Sequence, residues 1–345
     1  MAEQFAVEVI KCHGTGNDFF ALDETEAILI PDPLKAAFAR LVADRQEGAG
    51  ADGILFVSAF DAQHPRMRFF NPDGSEAEMC GNGLRCAARL CFEGHYRGQD
   101  PLLFKTLGGT FRTENFFSTT HQMPFVRVTT DPVSINPDNI LASRTTTPFL
   151  AQPVPVGDQS WMGTILSIGN PHLIVPVADL HNVALMELGH ALECHPLFPR
   201  RTNVSFVQGV DRHTLLVQTY ERGVGLTLSC GTGMTASVVA QVLNGTVQNQ
   251  EPVAVHTAGG IAWVTPRVTE EGISAQLTGN ATWVYRGKIP LIIRDDTIHF
   301  ASETLVDKEY VYEEEARHYG QLAEQTLFDP AILRGTSLEK RLLQR

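Results

Sequence analysis

Two short segments of this chain repeat one another closely enough to constrain its architecture. Glu78-Met79-Cys80-Gly81-Asn82-Gly83 runs into Leu84, Ala87, Ala88 and Cys91, and Leu228-Ser229-Cys230-Gly231-Thr232-Gly233 runs into Met234, Val238 and Val242. Each set of apolar residues is spaced to line one helix face, so each cysteine stands where a helix begins. Cys230 follows Cys80 by 150 residues, and Gly169-Asn170 follows Gly16-Asn17 by 153. Nine residues before each cysteine a polar residue precedes a glycine-containing turn, Asn71 before Asp73-Gly74 and Glu221 before Gly223. A duplicated half-chain leaves this pattern, and it predicts two facing domains that each offer one cysteine.

The length of 345 residues fits about two domains, each able to bury a core. Hydrophobic residues make up 43% and charged residues 19%, the balance of a globular protein rather than a disordered one. A formal charge of −12 repels phosphate backbones and anionic lipid, which argues against nucleic-acid and membrane partners. No run of about 18 apolar residues occurs, and the first residues show neither a basic nor an apolar leader, so a cytoplasmic protein is expected. Six cysteines are too sparse for a disulfide scaffold, so any chemistry they carry is thiol chemistry.

Short β-rich runs dominate: Phe5–Ile10, Ile54–Val57, Met67–Phe70, Leu102–Lys105, Phe125–Thr129, Thr164–Ser167, Asn203–Val207, Thr214–Thr219, Val253–His256, Ile261–Thr265 and Trp283–Tyr285. Helices are predicted at Pro33–Ala43, Asn82–Phe92, Leu180–Leu192 and Thr232–Leu243. Many strands with few helices point to an α+β fold. The polar, Pro- and Thr-rich stretch Asp131–Gln159 lacks periodicity, which predicts a boundary near its start. The expected organisation is an N-terminal half over 1–130 carrying Cys80, a C-terminal half over 131–287 carrying Cys230, and a partly helical extension over 288–345.

A thiol of ordinary pKa about 8.5 becomes more acidic at a helix N-terminus, where free N–H groups and the helix dipole favour the thiolate. The same N–H groups hold a carboxylate, and the neighbouring glycines let it come close. Two such cysteines suit exchange of a proton on a stereocentre beside a carboxylate, one as thiolate base and the other as thiol acid on the opposite face. Of the six lysines (11, 35, 105, 288, 308 and 340) none lies in a phosphate-binding glycine context, so no pyridoxal cofactor is expected. A zinc site from Cys80, Cys86 and Cys91 is disfavoured by spacing, and no metal is expected.

The motifs His13-Gly14-Thr15-Gly16-Asn17-Asp18-Phe19, Gly50-Ala51-Asp52-Gly53, Asn71 through Cys86, Gly169-Asn170-Pro171-His172, Thr202 through Phe206, Glu221 through Gly225 and Cys230-Gly231-Thr232-Gly233 resemble those of the diaminopimelate epimerase family. They run in the family's order over about Val7 to Gly287. The resemblance implies two pseudo-symmetric β-rich domains of the epimerase/PhzF-like type, each wrapped around a central helix, in a homodimer. It implies a cofactor-independent enzyme of lysine and peptidoglycan precursor synthesis that interconverts LL- and meso-diaminopimelate, with Cys80 and Cys230 as the acid/base pair. Backbone at Gly81-Asn82 and Gly231-Thr232 would hold the reacting carboxylate. Asn17, Asn71, Asn170, Asn203, Glu221 and Arg222 would fix the rest of the substrate, the planar fork of Arg222 taking a distal carboxylate.

The chain departs from the family pattern at Leu226, Met234-Thr235, Thr106-Leu107-Gly108-Gly109 and Gly53. These departures keep open an alternative, a racemase of another amino acid on the same scaffold. A binding or redox-sensing protein is the non-enzyme alternative. Outside the motifs, Cys12, Cys86, Cys91 and Cys194 read as small buried hydrophobes. His13 reads as a structural histidine and His172 as a residue of the site wall. The asparagines also fit turn roles, and Glu313-Glu314-Glu315 reads as a solvated helix face.

Overall fold

A computed structural model describes residues 3–136, 140–142, 147–303, 305–334 and 336. The chain forms two compact units, Met1–Val128 with Gly279–Gln321 and Thr129–Thr278 with Leu322–Arg345. Among the described residues no helix is long and apolar enough to cross a membrane.

In the first unit β1 (Glu3–Gly14) and β2 (Asn17–Glu24) form a hairpin, and α1 (Lys35–Ala43) leads to β3 (Gly53–Ala59), which lies parallel to β2. β4 (Pro65–Phe70) returns antiparallel to β3, and β5 (Glu76–Ala77) folds back on it before the central helix α2 (Gly81–Glu93). β6 (Leu102–Thr106), β7 (Gly109–Ser118) and β8 (Met123–Thr130) complete the set, β6 lying parallel to β4. Gly81 through Phe92 are all buried, so α2 has no solvent face. Its polar side chains Asn82, Arg85 and Arg89 are buried too and find hydrogen-bond partners inside the unit, while Leu84, Ala87, Ala88 and Cys91 pack with Phe19, Leu55, Phe104 and Val126.

The second unit repeats this pattern. β9 (Gln152–Val156) pairs with β10 (Gln159–Ser167), which forms a hairpin with β11 (Pro171–Pro176); α3 (Leu185–Glu193) leads to β12 (Asn203–Asp211), parallel to β11. β13 (Thr214–Glu221), β14 (Gly225–Leu226), the buried helix α4 (Gly231–Leu243), β15 (Val253–Thr257), β16 (Gly260–Thr269) and β17 (Gly272–Asn280) follow. The registers coincide: Ile54 opposes Phe70 and Phe70 opposes Glu76 in the first unit, and Val204 opposes Tyr220 and Tyr220 opposes Leu226 in the second, 150 residues on. The α+β fold of two β-rich halves around central helices is therefore present in each unit's topology.

The ends of the chain differ from the expected organisation. β18 (Thr282–Arg294) is one continuous strand that pairs with β1 from Glu3 to His13, so it carries the chain back into the first unit and no boundary falls at 287. β19 (Thr297–Phe300) and β20 (Asp307–Val311) pair with the other edge of β18. The helix α5 (Glu313–Ala323) passes from the first unit to the second, where Phe328 and Leu333 join the core. The extension thus belongs to both units rather than standing apart, and its last nine residues lie outside the described set.

Three local expectations change. The helix over Leu180–Leu192 splits into a turn at Leu180–Asn182, capped by Asp179, and α3, because Val183 is extended. Asp131–Gln159 contains β9 despite Pro153 and Pro155, which a strand whose one pairing among the described residues is with β10 tolerates. Glu315 is not part of a solvated face: Arg89 donates to both its carboxylate oxygens at 2.6 and 2.7 Å, and the Trp283 backbone N–H donates at 3.0 Å.

Candidate active site

Cys80 and Cys230 each occupy the N-cap of a central helix. Their backbones match, with φ −137°, ψ 109° at Cys80 and φ −125°, ψ 113° at Cys230. Each sulfur accepts a hydrogen bond from the third residue of its helix, Gly83 or Gly233, at 3.4 Å. Cysteine thus fills a place usually taken by Ser, Thr, Asp or Asn, with a sulfur facing the free amides of the first turn. The glycines are steric requirements. A Cβ at Gly83 would stand 2.7 Å from Leu55 Cδ2, and one at Gly233 2.6 Å from Thr219 Oγ1.

In the first unit the turn before β2 brings Asn17 to the helix start. Asn17 Oδ1 accepts from Asn82 Nδ2 at 3.2 Å and lies 3.8 Å from Cys80 Sγ. Asn17 Nδ2 in turn donates to Asp52 Oδ2 at 2.8 Å, and Arg45 donates to the other oxygen of Asp52 at 3.0 Å. Behind Asn82 stands Arg85, fully buried, which donates to Asn82 Oδ1 (3.1 Å), Thr15 Oγ1 (2.7 Å) and the Asn280 carbonyl (2.9 Å). Burial lowers its pKa to about 10, which still leaves it charged at neutral pH. Asn71 donates to Ser75 Oγ at 3.0 Å, within the turn joining β4 to β5.

The second unit assembles its candidates in the same manner. Thr232 Oγ1 lies 3.4 Å from Cys230 Sγ and accepts from Asn170 Nδ2 at 3.4 Å, the counterpart of the Asn17–Asn82 pair. His172 Nε2 lies 3.0 Å from Asn170 Oδ1, while its Nδ1 is buried with no hydrogen-bond partner among the described residues. Burial, and next the positive charge of Arg222, push the His172 pKa down to about 3, so the ring is neutral and the bond requires the Nε2–H tautomer. His172 opposes Asn203 across β11 and β12. Asn203 donates to the Pro171 carbonyl at 2.9 Å and accepts from the Arg222 backbone N–H at 3.0 Å. Glu221 Oε1 accepts from Thr227 Oγ1 at 2.6 Å. His172 is fully enclosed, beside Asn170.

Hydrogen bonds thus join Asn17, Asn82 and Cys80 in the first unit, and Asn170, Thr232 and Cys230 in the second, with His172 bonded behind Asn170. Three positioning groups escaped the sequence reading. Arg85 had a visible signal, a charge set among the apolar residues of a helix start. Asp52 lies within the motif Gly50-Ala51-Asp52-Gly53, though nothing there singled out its carboxylate; Glu193 had no signal beyond its type, and, buried, it accepts from the Gly223 N–H at 2.7 Å and so holds the loop carrying Glu221 and Arg222. Of the four cysteines read as buried hydrophobes, Cys12, Cys86 and Cys91 are buried, but Cys194 is exposed because it caps the open C-terminal end of α3.

A family model described as diaminopimelate epimerase matches residues 9–135 and 164–284. The diaminopimelate epimerase of Moorella thermoacetica is 38% identical over 283 residues, covering 82% of this chain and 99% of that protein. The diaminopimelate epimerase of Methanothermobacter thermautotrophicus is 37% identical over 286 residues, covering 83% of this chain and 98% of its own length. Among solved structures, a PhzF-family phenazine biosynthesis protein of Bacillus anthracis aligns with a TM-score of 0.60 at 15% identity, over 83% of this chain and 99% of that one. A hydroxyproline epimerase of Agrobacterium vitis aligns with a TM-score of 0.58 at 16% identity, over 83% and 91%. At these identities the structures speak for the fold alone.

Proposed function

The chain belongs to the diaminopimelate epimerase family of isomerases, and from that premise we propose that it interconverts LL- and meso-diaminopimelate by a two-base mechanism without a cofactor. The observation that carries this reading is the pair of matched helix caps, Cys80 over Gly83 N and Cys230 over Gly233 N.

In the proposed reaction one cysteine, as thiolate, removes the proton from the α carbon. The C–H electron pair passes toward the neighbouring carboxylate, whose growing charge is met by the N–H groups of a helix start. The other cysteine, as thiol, delivers its proton to the opposite face, forming the new C–H bond. The net proton count is unchanged and the two sulfurs exchange protonation states. Asn17 and Asn82, and Asn170 and Thr232, hold the substrate around the reacting carbon; Asn71, Asn203, Glu221 and Arg222 hold its distal end. His172 keeps the Asn170 amide oriented. The same proposal makes the protein a homodimer of the cytoplasm, which sedimentation and fractionation test.

Incubation with LL-diaminopimelate in deuterated water should place deuterium on the α carbon and yield the meso isomer. Cys80→Ala and Cys230→Ala should each abolish turnover while keeping the fold. Folded protein that exchanges no α proton of diaminopimelate, yet turns over another amino acid in a substrate panel, would reject the assignment in favour of a racemase of that amino acid.

A further inference from the structure

The last turn of α3 gathers three side chains of metal-binding chemistry. His190, Glu193 and Cys194 are spaced three and four apart, which brings them to one face of the helix end. His190 Nδ1 lies 3.7 Å from Glu193 Oε2 and 4.0 Å from Cys194 Sγ, and Cys194 Sγ lies 3.9 Å from Glu193 Oε2. Among the described residues this is the one group of three such side chains whose ligand atoms lie within 4.8 Å of one another. Zinc bonds of about 2.0–2.3 Å place tetrahedral ligands about 3.3–3.6 Å apart. The observed triangle is wider by a few tenths of an ångström, and small rotations of His190 and Cys194, both exposed, close it.

The surroundings prepare the carboxylate for this role. Glu193 is buried, and its Oε1 is engaged by the Gly223 N–H at 2.7 Å and by Arg201 Nη1 at 3.5 Å, which fixes the plane and turns Oε2 toward His190 and Cys194. Such second contacts orient a ligand before the ion arrives. Tyr220 Oη, 3.4 Å from His190 Nδ1, is the group an ion displaces from that nitrogen. The carbonyls at the end of α3 favour a cation there. Arg201 opposes it, but from the far oxygen and from a side chain more than half exposed.

One imidazole, one thiolate and one carboxylate make a mixed borderline-soft set, which selects zinc-like ions over magnesium or calcium. We propose that His190, Glu193 and Cys194 form a three-ligand site for a divalent transition-metal ion of the Zn2+ class, with the fourth position open to water. On binding, the Cys194 S–H bond breaks, its proton goes to solvent and a metal–sulfur bond forms; His190 binds neutral through Nδ1. The site uses neither Cys80 nor Cys230, so it stands or falls independently of the proposed epimerisation.

The test uses the full chain as Cys80→Ser/Cys230→Ser, so that neither thiol at the helix caps contributes. Titration with Co2+ under reducing conditions should give one saturable step with a thiolate-to-cobalt charge-transfer band, and Zn2+ should discharge it. Cys194→Ser should lose the band and His190→Ala should weaken the step, with far-UV circular dichroism unchanged. Independently, Zn2+ should slow alkylation of Cys194 by iodoacetamide, read peptide by peptide. No thiolate band, a band that survives Cys194→Ser, or a Cys194 alkylation rate that Zn2+ leaves unchanged overturns the site.

Discussion

Arg85 Nη1 donates to Asn82 Oδ1 at 3.1 Å, and this bond decides which end of the Asn82 amide faces Asn17. With the oxygen held, the Nδ2 group has to point outward, where it donates to Asn17 Oδ1 at 3.2 Å. Arg85→Met removes the donor to three buried acceptors, and each such group left unpaired costs about 1–3 kcal/mol. Relief of the buried charge offsets part of this. The expected loss is about 3 kcal/mol in urea unfolding, with α-proton exchange reduced further in protein that remains folded. A variant within about 0.5 kcal/mol of wild type, with full exchange, would show that the Asn82 amide is set by something else.

The features legible in the sequence are those whose physics is local. A cysteine before Gly-x-Gly and an apolar helical face is a helix cap wherever it occurs, and both caps lie where the repeat puts them. The illegible features are pairings across long separations. Arg89 meets Glu315 226 residues away, so Glu315 could not be told from Glu313 and Glu314 by charge patterning. The continuation of β18 past 287 is fixed by its partner β1 at the other end of the chain. Nothing in the sequence marked His190, Glu193 and Cys194 as a group, because the carboxylate among them is oriented by Gly223 and Arg201, which no local pattern reveals.

His172 gives stability a defined pH dependence. Its pKa is pushed down to about 3 in the folded protein, by burial first, whereas an unfolded histidine titrates near about 6.5. Between those values the unfolded chain binds a proton that the native state refuses. The contribution is therefore fully present above pH about 6.5 and is lost as pH falls toward about 3. From pH about 6.5 to about 5 the expected loss from this group is on the order of 2 kcal/mol. His172→Phe, which places at this register the residue that Phe19 supplies opposite Gly53, should remove that component of the slope. Equal slopes for wild type and variant in denaturant titrations would refute the assignment.

Glu315→Ala tests whether the extension supports the first unit. Arg89 is buried, lies 4.3 Å from the Trp283 ring centre and, among the described residues, keeps Glu93 and the Ala281 carbonyl as hydrogen-bond partners once Glu315 is gone. Removing one partner of a buried ion pair costs about 3–5 kcal/mol. The remaining Glu93 reduces this to about 2 kcal/mol, read as a lower thermal midpoint. Glu313→Ala and Glu314→Ala, on the exposed side of the helix, should shift it by less than about 0.5 kcal/mol.

Glu193 separates holding the loop from holding charge. Its Oε1 is the acceptor for Gly223 N–H, and Asn203 Oδ1 is the acceptor for Arg222 N–H, so two successive backbone amides of the loop after β13 are tied down by side chains. Glu193→Ala leaves the Gly223 N–H without this acceptor and frees Glu221 and Arg222 to sample other positions. If those two residues hold the distal end of the substrate, KM should rise on the order of tenfold with a smaller change in kcat, the signature of lost ground-state binding. Glu193→Gln keeps an amide oxygen at the same place and should restore most of KM, although it weakens the ion pair with Arg201. Equal damage from both variants would instead assign the effect to the carboxylate charge.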